Sequence, residues 1–239
     1  MKKNALVAIT TAAILLAPNV NANAEWQFGI GTGIGITNYD GDLTFEDGNK
    51  LDVEYDQNDF EGGFGLAGFA TDGTWVINLS ASMVEYESKD TIQAETERSK
   101  NNFEQTGAEL TLGYVAYREG AITLTPYAGI QYTDHEWSFK SSSEKVDIDD
   151  SWVDGVIGLK LDYKINEEWA WNNYINYAAG DSEGCLGIQT GVSWQWTESW
   201  IAGAYVSFES DEFDGEDGNA EFDYDTDVTK LGLTIAYIW

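Results

Sequence analysis

Apolar and polar residues alternate with a period of two along most of this chain, the spacing of a β-strand whose two faces meet different surroundings. In the terminal KLGLTIAYIW, Leu231, Leu233, Ile235, Tyr237 and Trp239 share one face, and Lys230, Gly232, Thr234 and Ala236 the other. In EWQFGIGTGIGI, Trp26, Phe28, Ile30, Ile34 and Ile36 oppose Gln27, Gly29, Gly31, Gly33 and Gly35. Eight further stretches alternate: GGFGLAGFA, TWVINLSASMVEY, TGAELTLGYVAY, AITLTPYAGIQY, DGVIGLKLDY, EWAWNNYINYAAG, CLGIQTGVSWQW and SWIAGAYVSFE. GGFGLAGFA is the weakest, with Phe64, Leu66 and Ala70 in phase and Phe69 out of it.

The connectors alternate too. TDG, REG, KINEE and TES are short, whereas 39–59, 87–101, 138–150 and 210–226 are long; 180–184 is the short exception. Tight turns at one end, longer loops at the other and an even strand count predict an all-β, closed antiparallel transmembrane barrel. Ten strands are expected, with eight as the alternative because the second strand is weak and 180–184 is short. The short turns and both termini then fall on the periplasmic side, and the long acidic loops are extracellular. A soluble sandwich or lipocalin-like barrel would bury its larger apolar face. Here the opposite face, rich in Gly, Ser, Thr, Asn and Gln, is too polar for a core and suits a lumen. Closure leaves no open edge in lipid.

Tryptophan agrees with this topology. Trp26, Trp75, Trp169, Trp171, Trp194, Trp196, Trp200 and Trp239 gather towards the short-turn rim, and Trp137 and Trp152 towards the other. Indole suits a membrane interface because its body is apolar and its N–H needs a wet partner.

Residues 1–24 read as a secretory signal peptide: Lys2 and Lys3, an apolar run, then Ala22-Asn23-Ala24 as a cleavage site. The barrel is therefore expected over 25–239. The net charge is -30, and losing the two leader lysines makes it more negative. Such a surface repels nucleic acid and favours cations. The single Cys185 rules out an internal disulfide framework and a cysteine metal site.

The chain resembles the small outer-membrane β-barrels of Gram-negative bacteria, of the opacity-protein and porin-like type. The resemblance covers 25–239 and rests on the leader, the alternating strands and the ending LTIAYIW. It implies outer-membrane lipid around the barrel. It also implies an assembly signal, Leu233, Ile235, Tyr237 and Trp239, read by the barrel-assembly machinery, with Trp where Phe is usual. Such barrels include adhesins, narrow channels, structural proteins and a few enzymes, so the motifs name no activity.

By strand parity Glu61, Glu109, Tyr127, Asp154, Lys160, Asp162, Tyr174, Tyr205, Glu209 and Lys230 line the lumen. Glu109 and Lys160 are expected to pair, since lone charges in a narrow space are costly. These residues form either a polar plug or a narrow cation-leaning path, and a ten-strand lumen is only slightly wider than one that side chains fill. The acidic loops offer a binding surface for Ca²⁺ or a basic partner. Asp211, Asp214, Glu216 and Asp217 are the candidate Ca²⁺ ligands, although the segment lacks calcium-loop spacing. No other cofactor is expected. Enzyme readings fare worse. His135 is the sole histidine; Asp134 is adjacent, on the opposite face of a strand, and Glu136 and Trp137 follow. The Asp–x–His of outer-membrane proteases and the His–x–Ser of lipid-modifying enzymes are both missing, so a rim histidine in a porin-like or structural barrel is the expectation.

Overall fold

The computed structural model describes residues 26–45, 48, 50–88, 100–140, 145–217 and 220–239; the expected signal peptide lies outside them. Among the described residues twelve strands form: β1 (Gln27–Phe45), β2 (Lys50–Tyr55), β3 (Phe60–Thr71), β4 (Trp75–Ser88), β5 (Lys100–Tyr114), β6 (Tyr117–Glu119), β7 (Ile122–Lys140), β8 (Lys145–Lys164), β9 (Trp169–Gly180), β10 (Gly184–Gln195), β11 (Trp200–Asp217) and β12 (Ala220–Ile238). Ten make the wall, each antiparallel to its neighbours. β2 only lengthens the edge of β1 and β6 that of β7. β12 pairs with β1 and closes the barrel. At the last residue, Trp239 and Phe28 exchange both backbone hydrogen bonds, at 3.0 and 3.1 Å.

Three of the four short turns share one device. Asp72 accepts hydrogen bonds from the amides of Thr74 and Trp75, Asn166 from those of Glu168 and Trp169, and Thr197 from those of Ser199 and Trp200. A side-chain oxygen that stands in for a backbone acceptor is what Asp, Asn and Thr bring to turns. These two amides hold the exposed Asp72 carboxyl below its ordinary range. Gly73 takes the left-handed conformation at φ 83°.

The long connectors are less irregular than their composition predicts. Strands climb far into them: β7, β8, β11 and β12 run 18 to 20 residues. β9 and β10, at 12 residues, stop early. The added length has its own chemistry. Along β12 the outward residues are Leu231, Leu233, Ile235 and Tyr237 low down but Asp223, Asp225 and Asp227 higher up. The inward residues change from Lys230, Gly232 and Thr234 to Phe222, Tyr224 and Val228. β1 reverses in the same way: Ile34 and Ile36 face out below Asp40 and Asp42, while Gly33 and Gly35 face in below Tyr39 and Leu43. The barrel is thus greasy outside over one band and greasy inside beyond it. The band is where lipid is in contact; beyond it, water is outside and a conventional core is inside.

Within the band Leu110 is 45% and Leu159 37% exposed, while Lys160 is buried. Aromatic rings line the turn-end rim in an unbroken run of contacts: Trp26, Phe28, Trp239, Tyr237, Trp200, Trp196, Trp194 and Trp169, with centroids 5.1–6.5 Å apart. Trp137 and Trp152 belong to no rim. Both are buried inside, a correction to the sequence reading.

Inward glycines of several strands make room for neighbours. A side chain at Gly29 would collide with the Phe69 ring, one at Gly158 with Tyr127, and one at Gly232 with Tyr205. Phe69, out of phase in the sequence, is the residue that fills the space over Gly29. A bulge between Phe60 and Gly62 resets the parity of β3. It turns Glu61 outward to solvent, so the lumen assignment of Glu61 fails.

Candidate functional site

Three layers fill the interior. The uppermost is a core of rings beyond the lipid band. His135 lies at its centre, 2% exposed, with Phe213, Trp137, Phe103, Trp152 and Tyr224 at centroid distances of 4.9, 5.0, 5.2, 5.3 and 5.8 Å. Tyr39, Tyr55 and Tyr86 extend it around Phe103. Neither imidazole nitrogen has a hydrogen-bond partner among the described residues, and burial pushes His135 down to about 3, so it is neutral. The rim position expected for His135 is therefore wrong. Asp134 points the other way, to the hydroxyl of Tyr132, and no acid–base pair forms.

Below the rings is a polar chamber of about 140 Å³. Glu109, Glu209, Asp211 and Lys230 supply its charge, with Gln105, Gln189, Tyr127, Tyr174 and Ser207 among its polar walls. Tyr39 closes it from above by donating to Gln105 Oε1 at 2.6 Å. The ion pairs differ from expectation. Lys230 contacts Glu209 at 2.5 Å, and Lys160 contacts Asp162 at 3.2 Å, so Glu109 and Lys160 do not pair. β7 separates the strands that carry them. Asp162 also accepts from Asn172, and the Lys160 ammonium sits 5.5 Å from the Tyr174 ring centre.

The third layer is a floor of Tyr127, Tyr174, Tyr205 and Phe69, the last three of these four being 3–6% exposed. Asp154 is inward as well, but serves the wall. It accepts from the amide and hydroxyl of Ser182, which folds the β9–β10 turn inward. Cys185 is buried and free beside it.

Outside, above the lipid band, carboxylates stand opposite one another across strands. Glu85, Glu104, Glu136 and Asp149 form one row over β4, β5, β7 and β8. Glu54, Asp40 and Asp227 form a second, and Asp42, Asp225 and Glu212 a third. Partial burial first, and then Glu136 and Glu85, raise the carboxyl of Glu104 above its ordinary range. Lys50, against Asp42 at 3.4 Å, relieves the third row only at its edge. The candidate Ca²⁺ ligands do not converge: Asp211 faces the chamber and Asp214 is exposed on the outer face, while the side chains of Glu216 and Asp217 lie outside the described residues. Among the described residues no three His, Cys, Asp or Glu side chains are grouped to hold a metal ion. Leu233, Ile235, Tyr237 and Trp239 all face outward.

Comparison with known proteins matches residues 6–195 to the family described as outer membrane protein beta-barrel domain. Among solved structures, the fold is similar to the outer membrane protease OmpT from Escherichia coli. The TM-score is 0.63 at 10% identity, over 91% of this chain and 98% of that one. It is also similar to the transport unit of the autotransporter AIDA-I from Escherichia coli. Here the TM-score is 0.52 at 11% identity, over 95% of this chain and 94% of that one. No curated protein matches the chain. At such identities the likeness concerns the fold alone.

Proposed function

The chain belongs to the outer membrane protein beta-barrel family, and from that premise we propose that it is a non-enzymatic surface module that captures a cationic partner on its outer acidic rows. In this reading residues 1–24 direct export and the last strand is read by the assembly machinery. The short turns and both termini lie in the periplasm, and the carboxylate rows stand outside the cell. The observation that carries it is the row Glu85–Glu104–Glu136–Asp149. Like charges directly opposite one another destabilise a sheet, and four strands at about 4.8 Å spacing spread them over about 14 Å. That geometry suits an extended polycation better than one ion. The ring core supports a stiff platform and works against passage.

The test is binding of a synthetic decalysine peptide to the barrel in nanodiscs, followed by fluorescence anisotropy. Salt-sensitive binding that weakens at least about 10-fold in the E85Q/E104Q/E136Q/D149N variant is expected. Equal binding by that variant overturns the proposal.

A second reading, a porin-like narrow cation path, draws on the polar chamber. Planar-bilayer recording separates the two. The surface module is silent, whereas a cation current that changes on Lys160→Glu supports the channel.

A further inference from the structure

The chamber contains polar groups that the fold leaves unused. Gln189 is 5% exposed, yet among the described residues neither its amide oxygen nor its nitrogen has a hydrogen-bond partner. The hydroxyls of Tyr127, Tyr174 and Ser207 are buried and likewise have no partner among the described residues. All four side chains line the same cavity. Tyr174, Gln189 and Ser207 are cross-strand neighbours in one inner row of β9, β10 and β11, so their polar atoms converge rather than scatter. A buried polar group left unpaired is costly, which calls for an occupant.

Charge narrows the choice of occupant. Glu209 is matched by Lys230 and Asp162 by Lys160. Glu109 and Asp211 line the chamber without a cation in ion-pair contact among the described residues. Water could satisfy the hydroxyls and the amide, and the space would take about five molecules, but a carboxyl in a low-dielectric interior must then give up its charge by taking a proton, which a bound cation avoids. An anion is repelled. A small metal cation wants six or more oxygens in a tight shell, whereas two of the walls here are tyrosine rings, which favour an ammonium by cation–π attraction.

We propose that the mid-barrel chamber binds a small organic ammonium ion of about six to eight non-hydrogen atoms that carries a hydroxyl or amide group. The size follows from the volume, since a cavity of roughly 150 Å³ accommodates benzene. Glu109 and Asp211 offset the charge, Tyr127 and Tyr174 flank it, and Gln189 and Ser207 take the polar tail.

Choline is the probe, with 3,3-dimethyl-1-butanol as its uncharged isostere. The barrel is refolded in detergent with each in turn, and occupancy is read by native mass spectrometry and affinity by calorimetry. The expected result is one choline per barrel, binding at least about 10-fold weaker in Glu109→Gln, and little or no retention of the isostere. The proposal is overturned if choline is not retained, or if the isostere binds equally. It is also overturned if an outer-row variant such as Glu104→Gln, rather than Glu109→Gln, abolishes the signal. Should Glu109→Gln fail to fold, judged by heat-modifiable gel migration, Asp211→Asn and Gln189→Leu apply the same criterion.

Discussion

The indole N–H of Trp152 on β8 donates a 2.8 Å hydrogen bond to the backbone carbonyl of Asp214 on β11. The two strands are not sequential neighbours in the wall. Between them stand β9 and β10, which end at Gly180 and begin at Gly184, level with Asp154 and Glu212. Above that hairpin β8 and β11 lean together, and the Trp152 ring meets Phe213 at 4.6 Å.

This seam is expected to limit the stability of the upper barrel. Trp152→Phe keeps most of the ring and loses the hydrogen bond, costing about 1 kcal/mol. Trp152→Ala costs about 3–5 kcal/mol by also opening a cavity. Urea unfolding in lipid vesicles measures both, and faster amide exchange at 213–215 locates the damage. Equal stability of Trp152→Ala and the parent would show that the seam holds nothing.

Protonating His135 is costly, because five rings surround it and neither nitrogen has a hydrogen-bond partner among the described residues. Its folded value, about 3, lies below the unfolded one near 6.5. The unfolded chain therefore binds the proton first. Stability from this group is complete above pH 6.5 and falls as the pH drops from there towards 3, by at most about 1.4 kcal/mol per pH unit. His135→Phe, which keeps a ring in the box, is expected to flatten that slope. An unchanged slope in unfolding titrations from pH 7 to 4 would refute the assignment.

The outer row has the opposite sign. Glu104 is raised in the folded barrel, so its neighbours favour the protonated form. Its contribution is most favourable below the unfolded carboxyl value and is lost as pH rises through the folded one. Glu104→Gln should therefore stabilise the barrel at pH 7 by roughly 0.2–1 kcal/mol. The gain should vanish near pH 3, and salt should shrink it. A loss of stability at pH 7 would contradict the like-charge account.

In the lower barrel the expected sensitivity is steric. A Cβ at Gly232 would lie 2.6 Å from the Tyr205 ring, so Gly232→Val should cost about 1–3 kcal/mol by overpacking. Adding Tyr205→Ala should recover part of that loss. If the double variant is no better than the sum of the two single ones, ring and glycine are not coupled.

Much of the wall was legible because alternation needs only a local window. Leu110 against Glu109 and Leu159 against Lys160 follow from parity alone, and so do the inward positions of Tyr174, Tyr205 and Lys230. Glu61 was not legible, because one extra residue in β3 shifts the phase and leaves no mark in composition. The ring core was hidden for a different reason. Tyr39, Phe103, Trp137, Trp152, Phe213 and Tyr224 come from six strands and meet only once the barrel closes. Tyr39, Phe213 and Tyr224 sit in segments whose acidic residues read as loop, and Phe103, Trp137 and Trp152 lie just beyond the stretches that read as strand. The signal was nonetheless present in EFDYDTDV, where the alternation of the membrane strand continues with its faces exchanged. The expected Glu109–Lys160 pair fails because β7 stands between their strands and Lys160 has Asp162 nearer at hand.

The exchange of faces along β1 and β12 fixes how deep the molecule floats. Ile36 and Asp40 lie four residues apart on one strand, so the waterline must fall between them. A thicker membrane would drown Asp40 and Asp227, and a thinner one would strand Ile36 and Leu231 in water. The barrel therefore carries its own draught mark and should prefer bilayers of matching thickness.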